Sequence, residues 1–482
     1  MEQSIFLKNL WKHTKENRIS FHVPGHKNGR ILERYVDNDF LQRLPAFDQT
    51  EIYGLDNLHA PEGIIEESQK KAAAFFGADE SFFLVDGSSC GILSAIMAAT
   101  QPGDQILIPR DCHKSVISGV ILGDLHPIYI KPHVDTTFHV PAGIEPETIQ
   151  KFLMDYPRIK AVLLTYPNYY GICSDIEEII KIAHQHDKIV IIDEAHGAHL
   201  NLSNRLPISA LSGGADIVIQ STHKTLPAFT QASMLHVQSN RVDRQRLKFM
   251  LSMHQSSSPS YLLMTSLDIA RTIAQREGKH LMEDLLDHIE NFHKKLIEES
   301  NIQILTEVSV GINGVQDIDK TKMLMDGSNI GIRGAALEEF LRTGFNIQME
   351  LTNLTNVLAV TSIGNEEKDF QLLLQGLRKI EKEKGTPCRR IFKPLYTYEI
   401  PKMHLRPREA VYQKKKEVVF LQSSGKISGE YIIPYPPGIP ILCPGEEITK
   451  EMIEYVKTLK TEGISIIGTR DHYLEKIDII EI

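Results

Sequence analysis

Ile189-Val190-Ile191-Ile192-Asp193-Glu194-Ala195-His196-Gly197 and, further on, Ile217-Val218-Ile219-Gln220-Ser221-Thr222-His223-Lys224 share one design. In each, a short β-branched run without alternation is followed at once by polar residues. Such runs read as strands buried on both faces, the kind found in parallel sheets. Ligands of those sheets bind beyond the carboxyl ends of the strands, where these polar residues fall. Asp193 and Lys224, 31 positions apart (224 − 193), would then face one pocket. A pyridoxal phosphate (PLP) site needs such a pair: a lysine that condenses with the aldehyde and an acid that faces the protonated ring nitrogen.

Strand and helix signals alternate on either side of this stretch. Strands are expected at 81–85, 105–108, 128–130, 161–165 and 234–237, and helices at 5–15, 62–76, 88–100, 146–156, 175–186 and from 261 to about 300. The alternation implies an α/β fold with a doubly wound, mostly parallel sheet and a smaller α/β region after it. The division expected is an N-terminal arm and pocket loop over 1–60, a large cofactor-binding domain over 61–300 and a small α/β domain over 301–384. A linker rich in proline and basic residues then leads into a C-terminal domain, together 385–482.

Other residues join the pair at strand ends. Gly87-Ser88-Ser89 opens a helix, and free N–H groups with the helix dipole attract a phosphate there; an ordinary serine cap reads equally well. Ser221 and His223 flank Lys224. His113, in Arg110-Asp111-Cys112-His113-Lys114, follows a strand and can stack on a cofactor ring, while Ala195 is small enough to lie flat under one.

Composition narrows the class. A net charge of −9 argues against a nucleic-acid partner. Five scattered cysteines (Cys90, Cys112, Cys173, Cys388, Cys443) form neither a zinc nor a disulfide pattern and suit a reducing cytoplasm. No signal peptide is expected at the N-terminus, and no run approaches the ~20 apolar residues of a membrane span. His22 and His26 are four apart, but Pro24-Gly25 between them rules out the helix a metal pair would need, and no metal is expected. The tetrad Asp193-Glu194-Ala195-His196 also spells a helicase box, yet the G-x-x-x-x-G-K-[ST] loop is missing. A serine hydrolase could use Ser88 or Ser89 as its nucleophile, but nothing in the sequence ties a particular histidine to them.

Eight motifs carry a resemblance: FHVPGHKNG (21–29), GLDNLHAPEG (54–63), DGSSCG (86–91), RDCHKS (110–115), DEAHGAH (193–199), STHKT (221–225), SSSPSY (256–261) and YPPGIPILCPGE (435–446). In order and spacing the chain resembles the bacterial ornithine/lysine/arginine decarboxylases, which have the type I (aspartate-aminotransferase-like) PLP fold. The resemblance implies PLP-dependent decarboxylation of arginine, lysine or ornithine to agmatine or a diamine, through an aldimine on Lys224. It implies that Asp193 pairs with the ring nitrogen and that His113 stacks opposite Ala195. Ser88, Ser89, Ser221 and His223 would surround the phosphate, with His196 near the ring hydroxyl. Ser257 and Ser258 would reach the phosphate of a neighbouring subunit in a homodimer. Glu350 is the candidate for the substrate's distal cation, with a surface glutamate as the alternative. Cys90-Gly91-Ile92 and Asn57 depart from the common pattern. The wing domain of the large inducible enzymes is missing, so a dimer or small oligomer is expected rather than a large ring-like assembly. Two rivals remain: another type I lyase or aldolase, and a PLP-binding regulator without activity.

Overall fold

The computed structural model describes residues 4–385, 399–435 and 438–481. Cys388, Pro436, Pro437 and most of the expected linker lie outside the described residues. The central sheet has seven strands, here β1 (Glu80–Leu84), β2 (Gln105–Pro109), β3 (His126–Ile130), β4 (Ile159–Thr165), β5 (Ile189–Asp193), β6 (Ile217–Gln220) and β7 (Ser233–Val237), in the order β1-β7-β6-β5-β4-β2-β3. The four pairs from β6 to β3 are parallel, whereas β7 runs antiparallel to both β6 and β1. The reversal has a local cause. Between β6 and β7 stand only the one-turn helix Thr222–Thr225 and a loop, not the full helix that usually carries a parallel crossover.

The non-alternating strands are covered on both faces. Val190, Ile192, Leu107 and Val218 pack into one hydrophobic cluster with the helices Ile64–Phe76, Pro146–Asp155, Ile176–Gln185 and Tyr261–Glu299. Their neighbours Ile191, Ile106, Ile108, Ile217 and Ile219 pack into another, with Gly87–Ala99, Lys114–Leu122 and Arg244–His254. Successive strand residues thus serve opposite clusters, as a period of two requires. At roughly 25 cal/mol per Å², each fully buried aliphatic side chain contributes about 1.5–3 kcal/mol.

The 39-residue helix Tyr261–Glu299 leaves this layer, and Leu285, Ile289, Phe292 and Leu296 pack in the same cluster as Phe370, Leu373 and Leu377 of helix Glu367–Lys384. A four-stranded antiparallel sheet (Gln303–Ile304, Lys322–Asp326, Asn356–Val360, Leu351–Thr352) lies there. Ile19–Phe21 pairs in parallel with Ile347–Met349, which ties the N-terminal loop to this smaller layer. Phe420, Ile432, Leu442, Ile448 and Val456, towards the C-terminus, form a separate core. That unit is fastened to β2 by Arg110, whose Nη1 donates to Pro440 O at 2.7 Å.

Candidate active site

Register brings the polar strand ends together: Thr165 of β4 lies beside Asp193 of β5, which lies beside Ile219 of β6. A cavity of about 390 Å³ opens at this edge. Of the residues expected from the sequence, Ser88, Ser89, His113, Asp193, Ala195, His196, Ser221, His223, Lys224 and Glu350 all line it.

Asp193 is 4% exposed and forms no ion pair among the described residues; its Oδ1 accepts the Ala195 N–H at 3.2 Å. Burial raises its pKa, with Lys224 opposing. Lys224 sits in the one-turn helix, with Nζ 3.1 Å from Nε2 of His196. Burial lowers the lysine's pKa, while Asp193 and Glu350 pull it back up. The His196 ring is 4.8 Å from that of Tyr169, edge to face, and burial, then Lys224, hold its pKa far below the usual value.

Gly87 has φ +75°, a left-handed turn that a side chain would strain, and it starts the 13-residue helix Gly87–Ala99. Asp86 does not cap this helix; its Oδ2 accepts instead from Ser256 N at 2.9 Å. Ser221 Oγ donates to Ser88 Oγ at 2.8 Å. His223 Nδ1 lies 2.9 Å from Ala232 O, and since a carbonyl can only accept, Nδ1 carries the proton. Nδ1 of His113 accepts Ser115 N–H at 3.2 Å, which puts its proton on Nε2. Burial lowers both histidines to a pKa of about 4, so both are neutral at pH 7. Gly438, at φ +92°, backs His113 so closely that a Cβ would fall 3.3 Å from Nε2.

Glu350 joins the strands Ile347–Met349 and Leu351–Thr352 and points its carboxylate at the cavity from the smaller layer. Tyr169 OH donates to Oε1 and Val23 N–H to Oε2, both at 2.9 Å, which fixes the carboxylate plane. Ser257 and Ser258 are exposed and do not line this chain's cavity; their neighbour Ser256 is held by Asp86 and His59. Sequence reasoning assigned no role to Asp111, Asn168, Tyr169, Tyr170, Tyr435 or Ile439, which also line the cavity. Four of these fall just beyond the carboxyl ends of β2 and β4, a signal that could have found them.

Residues 4–316 match the family described as Orn/Lys/Arg decarboxylase, major domain, and residues 389–466 match its C-terminal domain. The chain belongs to the Orn/Lys/Arg decarboxylase family. Its decarboxylase relatives include a Bacillus anthracis protein named arginine decarboxylase, 35% identical over 98% of this chain and 96% of that one. An uncharacterised Bacillus subtilis protein, YaaO, is 39% identical over 94% and 93%. Among solved structures, lysine decarboxylase A of Pseudomonas aeruginosa superposes with a TM-score of 0.78 at 21% identity, covering 99% of this chain and 80% of that one. That likeness shows the fold, type I PLP-dependent. The protein is a decarboxylase of basic amino acids, and PLP is its cofactor. The cavity suits that group: a helix N-terminus without a side-chain cap for a phosphate, a buried carboxylate that forms no ion pair among the described residues, and a buried lysine whose amine is biased toward neutrality.

Proposed function

We propose that the protein converts arginine to agmatine and carbon dioxide, working in the cytoplasm as a homodimer. One observation carries the choice of arginine: the Glu350 carboxylate, held in one plane by Tyr169 and Val23, is a preset acceptor for a planar guanidinium. The relatives named arginine decarboxylase, 34–35% identical over most of the chain, support it. The four described cysteines are free and buried, in keeping with a reducing compartment. No helix among the described residues is long and apolar enough to cross a membrane.

When bound, PLP supplies an aldehyde for amines to condense with and a ring that takes up the electron pair left when carbon dioxide departs. The residues around it divide the remaining work. Burial biases the Lys224 amine toward its neutral, nucleophilic form. Asp193 offers a buried negative charge that keeps the ring nitrogen protonated, because opposite charges at low dielectric interact strongly. Ser88, Ser89, Ser221, His223 and the first-turn N–H groups of Gly87–Ala99 hold the phosphate. His113, backed by Gly438, and Ala195 hold the ring between them. His196 holds Nε2 at hydrogen-bond distance from Lys224 Nζ, where the two can exchange a proton. Glu350 anchors the distal cation, so that the α-carboxylate is oriented for departure. Ser257 and Ser258 complete the partner subunit's phosphate site. Residues 1–60 then serve as arm and pocket loop, 61–300 as the cofactor-binding domain, 301–384 as the small domain and 385–482 as linker and C-terminal domain.

Incubating purified protein with arginine, lysine and ornithine and quantifying agmatine, cadaverine and putrescine tests the reading. Agmatine should dominate in kcat/KM. Faster cadaverine or putrescine formation would move the assignment to that substrate.

A further inference from the structure

Lys27 closes the loop 22–27 and is only 2% exposed, with no ion pair among the described residues. An ammonium is costly to bury without a counter-charge. Its Nζ donates to His22 O at 2.7 Å and to Val360 O at 2.8 Å. The stem has no room to swing away, since a Cβ on Gly364 would fall 3.0 Å from Lys27 Cγ. The backbone of Lys27 is held at φ +49°, a left-handed conformation that a lysine adopts only where its surroundings enforce it.

One of the two acceptors leads to the active site. His22 O and Val23 N are the two ends of a single peptide group, and Val23 N–H donates to Glu350 Oε2 at 2.9 Å. A buried ammonium and a cavity carboxylate therefore grip the same peptide from opposite sides. By drawing electron density to the carbonyl oxygen, the ammonium makes the N–H a stronger donor, because hydrogen bonds in a chain polarise one another. Each end is also anchored separately: Ser20 Oγ donates to His22 O at 3.2 Å, and Tyr169 OH holds the other oxygen of Glu350. Further along the loop, Gly25 N–H donates to His223 O at 2.7 Å, and Gly25 O accepts from Ser362 Oγ at 2.6 Å. The loop thus spans from the turn that carries Lys224 to the smaller layer, and the His22–Val23 peptide is the part of it that meets Glu350. The surrounding charges agree with this link. Burial lowers the Lys27 pKa to about 7; Glu350 is the charge that opposes this most, aided by Asp369, while Lys322, itself buried, and Arg30 work against them.

We propose that Lys27 is a positioning residue for substrate recognition: through the His22–Val23 peptide it fixes the Glu350 carboxylate in the orientation that takes the distal cation. The inference rests on the reading of Glu350 as the substrate's anchor and goes beyond it, because Lys27 lies outside the cavity lining. A cation is an unexpected helper for a cationic substrate. The intervening peptide resolves this: it keeps the ammonium at one remove from the guanidinium and passes its pull to the carboxylate through two hydrogen bonds.

A double-mutant cycle in the holoenzyme tests the proposal. Lys27→Met keeps the reach of the side chain and removes both hydrogen bonds. KM for arginine should rise about 10-fold, with kcat and the colour of bound cofactor little changed. In a Glu350→Gln background the same change should raise KM by less than about 2-fold, because the carboxylate that Lys27 orients is gone. A residue that only stabilises the fold would give the same factor in both backgrounds. Lys27→Gln keeps a donor but is too short to bridge two carbonyls, so it should show the same pattern with a smaller factor, and it decides alone should Lys27→Met fail to fold. A wild-type KM in Lys27→Met, or in Lys27→Gln where the Met variant does not fold, would overturn the proposal. So would a rise that multiplies in full with that of Glu350→Gln. A Glu350→Gln enzyme with wild-type KM would instead overturn the anchor reading, and this proposal with it.

Discussion

Arg110 and Glu446 form an ion pair at 3.0 Å with each side chain only 1% exposed. Arg110 directly follows β2, three residues before His113, whereas Glu446 belongs to the C-terminal unit and also accepts from Cys443 N at 2.7 Å. The pair therefore clamps the unit that supplies Gly438 and Ile439 onto the strand end that presents His113. Removing one partner strands a buried charge, which costs about 3–5 kcal/mol. Glu446→Ala should lower the urea midpoint and release the cofactor sooner on dilution. Arg110→Met combined with Glu446→Leu should recover most of the loss, and a single variant as stable as wild type would contradict the clamp.

Substrate affinity should depend on Glu350 more than on any other acid in the cavity. Glu350→Gln removes the charge but keeps the shape, at a cost of roughly 1.5–3 kcal/mol for a charge-assisted hydrogen bond. Steady-state kinetics should show KM for arginine rising about 10- to 100-fold with a smaller change in kcat. Tyr169→Phe, which frees the carboxylate from one of its two restraints, should fall between wild type and Glu350→Gln.

The two residues of the opening motif should fail differently. Lys224→Ala should abolish turnover and the visible absorbance of bound cofactor together. Asp193→Asn should keep the colour and lose about 10²–10³-fold in kcat, the usual scale for one electrostatic contact to a reacting centre. Equal loss of colour in both would make Asp193 a binding residue only.

His236 gives a pH dependence that can be isolated. It is fully buried, its Nδ1 bonded with Ser81 Oγ at 2.7 Å and its Nε2 3.1 Å from Gln220 Oε1, and burial lowers its pKa from 6.5 to about 3. Because the folded value lies below the unfolded one, its stabilising share is complete above pH 6.5 and drains away as pH falls toward 3. One extra proton taken up on unfolding corresponds to a slope of about 1.4 kcal/mol per pH unit. Urea denaturation of wild type and His236→Gln at pH 7, 6, 5 and 4 should show the wild type losing stability more steeply by that amount. Parallel curves would refute it.

The carboxyl ends of strands were legible because β-branched runs break abruptly into Asp, Ser, His and Lys, and these ends converge in a parallel sheet. Glu350 could be named, but the grip of Tyr169 and Val23 on it could not: the three residues come from three parts of the chain, and no local pattern records their approach. Lys322 reads as a surface lysine, since a strand of five residues does not reveal that both of its faces are covered. The helix Arg244–His254 was missed because only Leu247 and Leu251 are buried, too few to stand out among its polar neighbours. The antiparallel edge at β7 depends on a loop conformation that hydrophobic spacing does not encode.

The cavity lining runs from Val23 to Ile439, which gives the site a history during translation. Once Val237 has left the ribosome all seven strands exist, Asp193 and Lys224 among them, yet the wall from Glu350 to Ile439 has not been made. Another 215 residues (439 − 224) separate Lys224 from its last covering residue. At roughly 5–20 residues per second that interval is about 10–40 s. During that time the reactive amine faces the cell's small aldehydes without the chamber that later selects among them, so the nascent chain is the form most open to the wrong carbonyl compound.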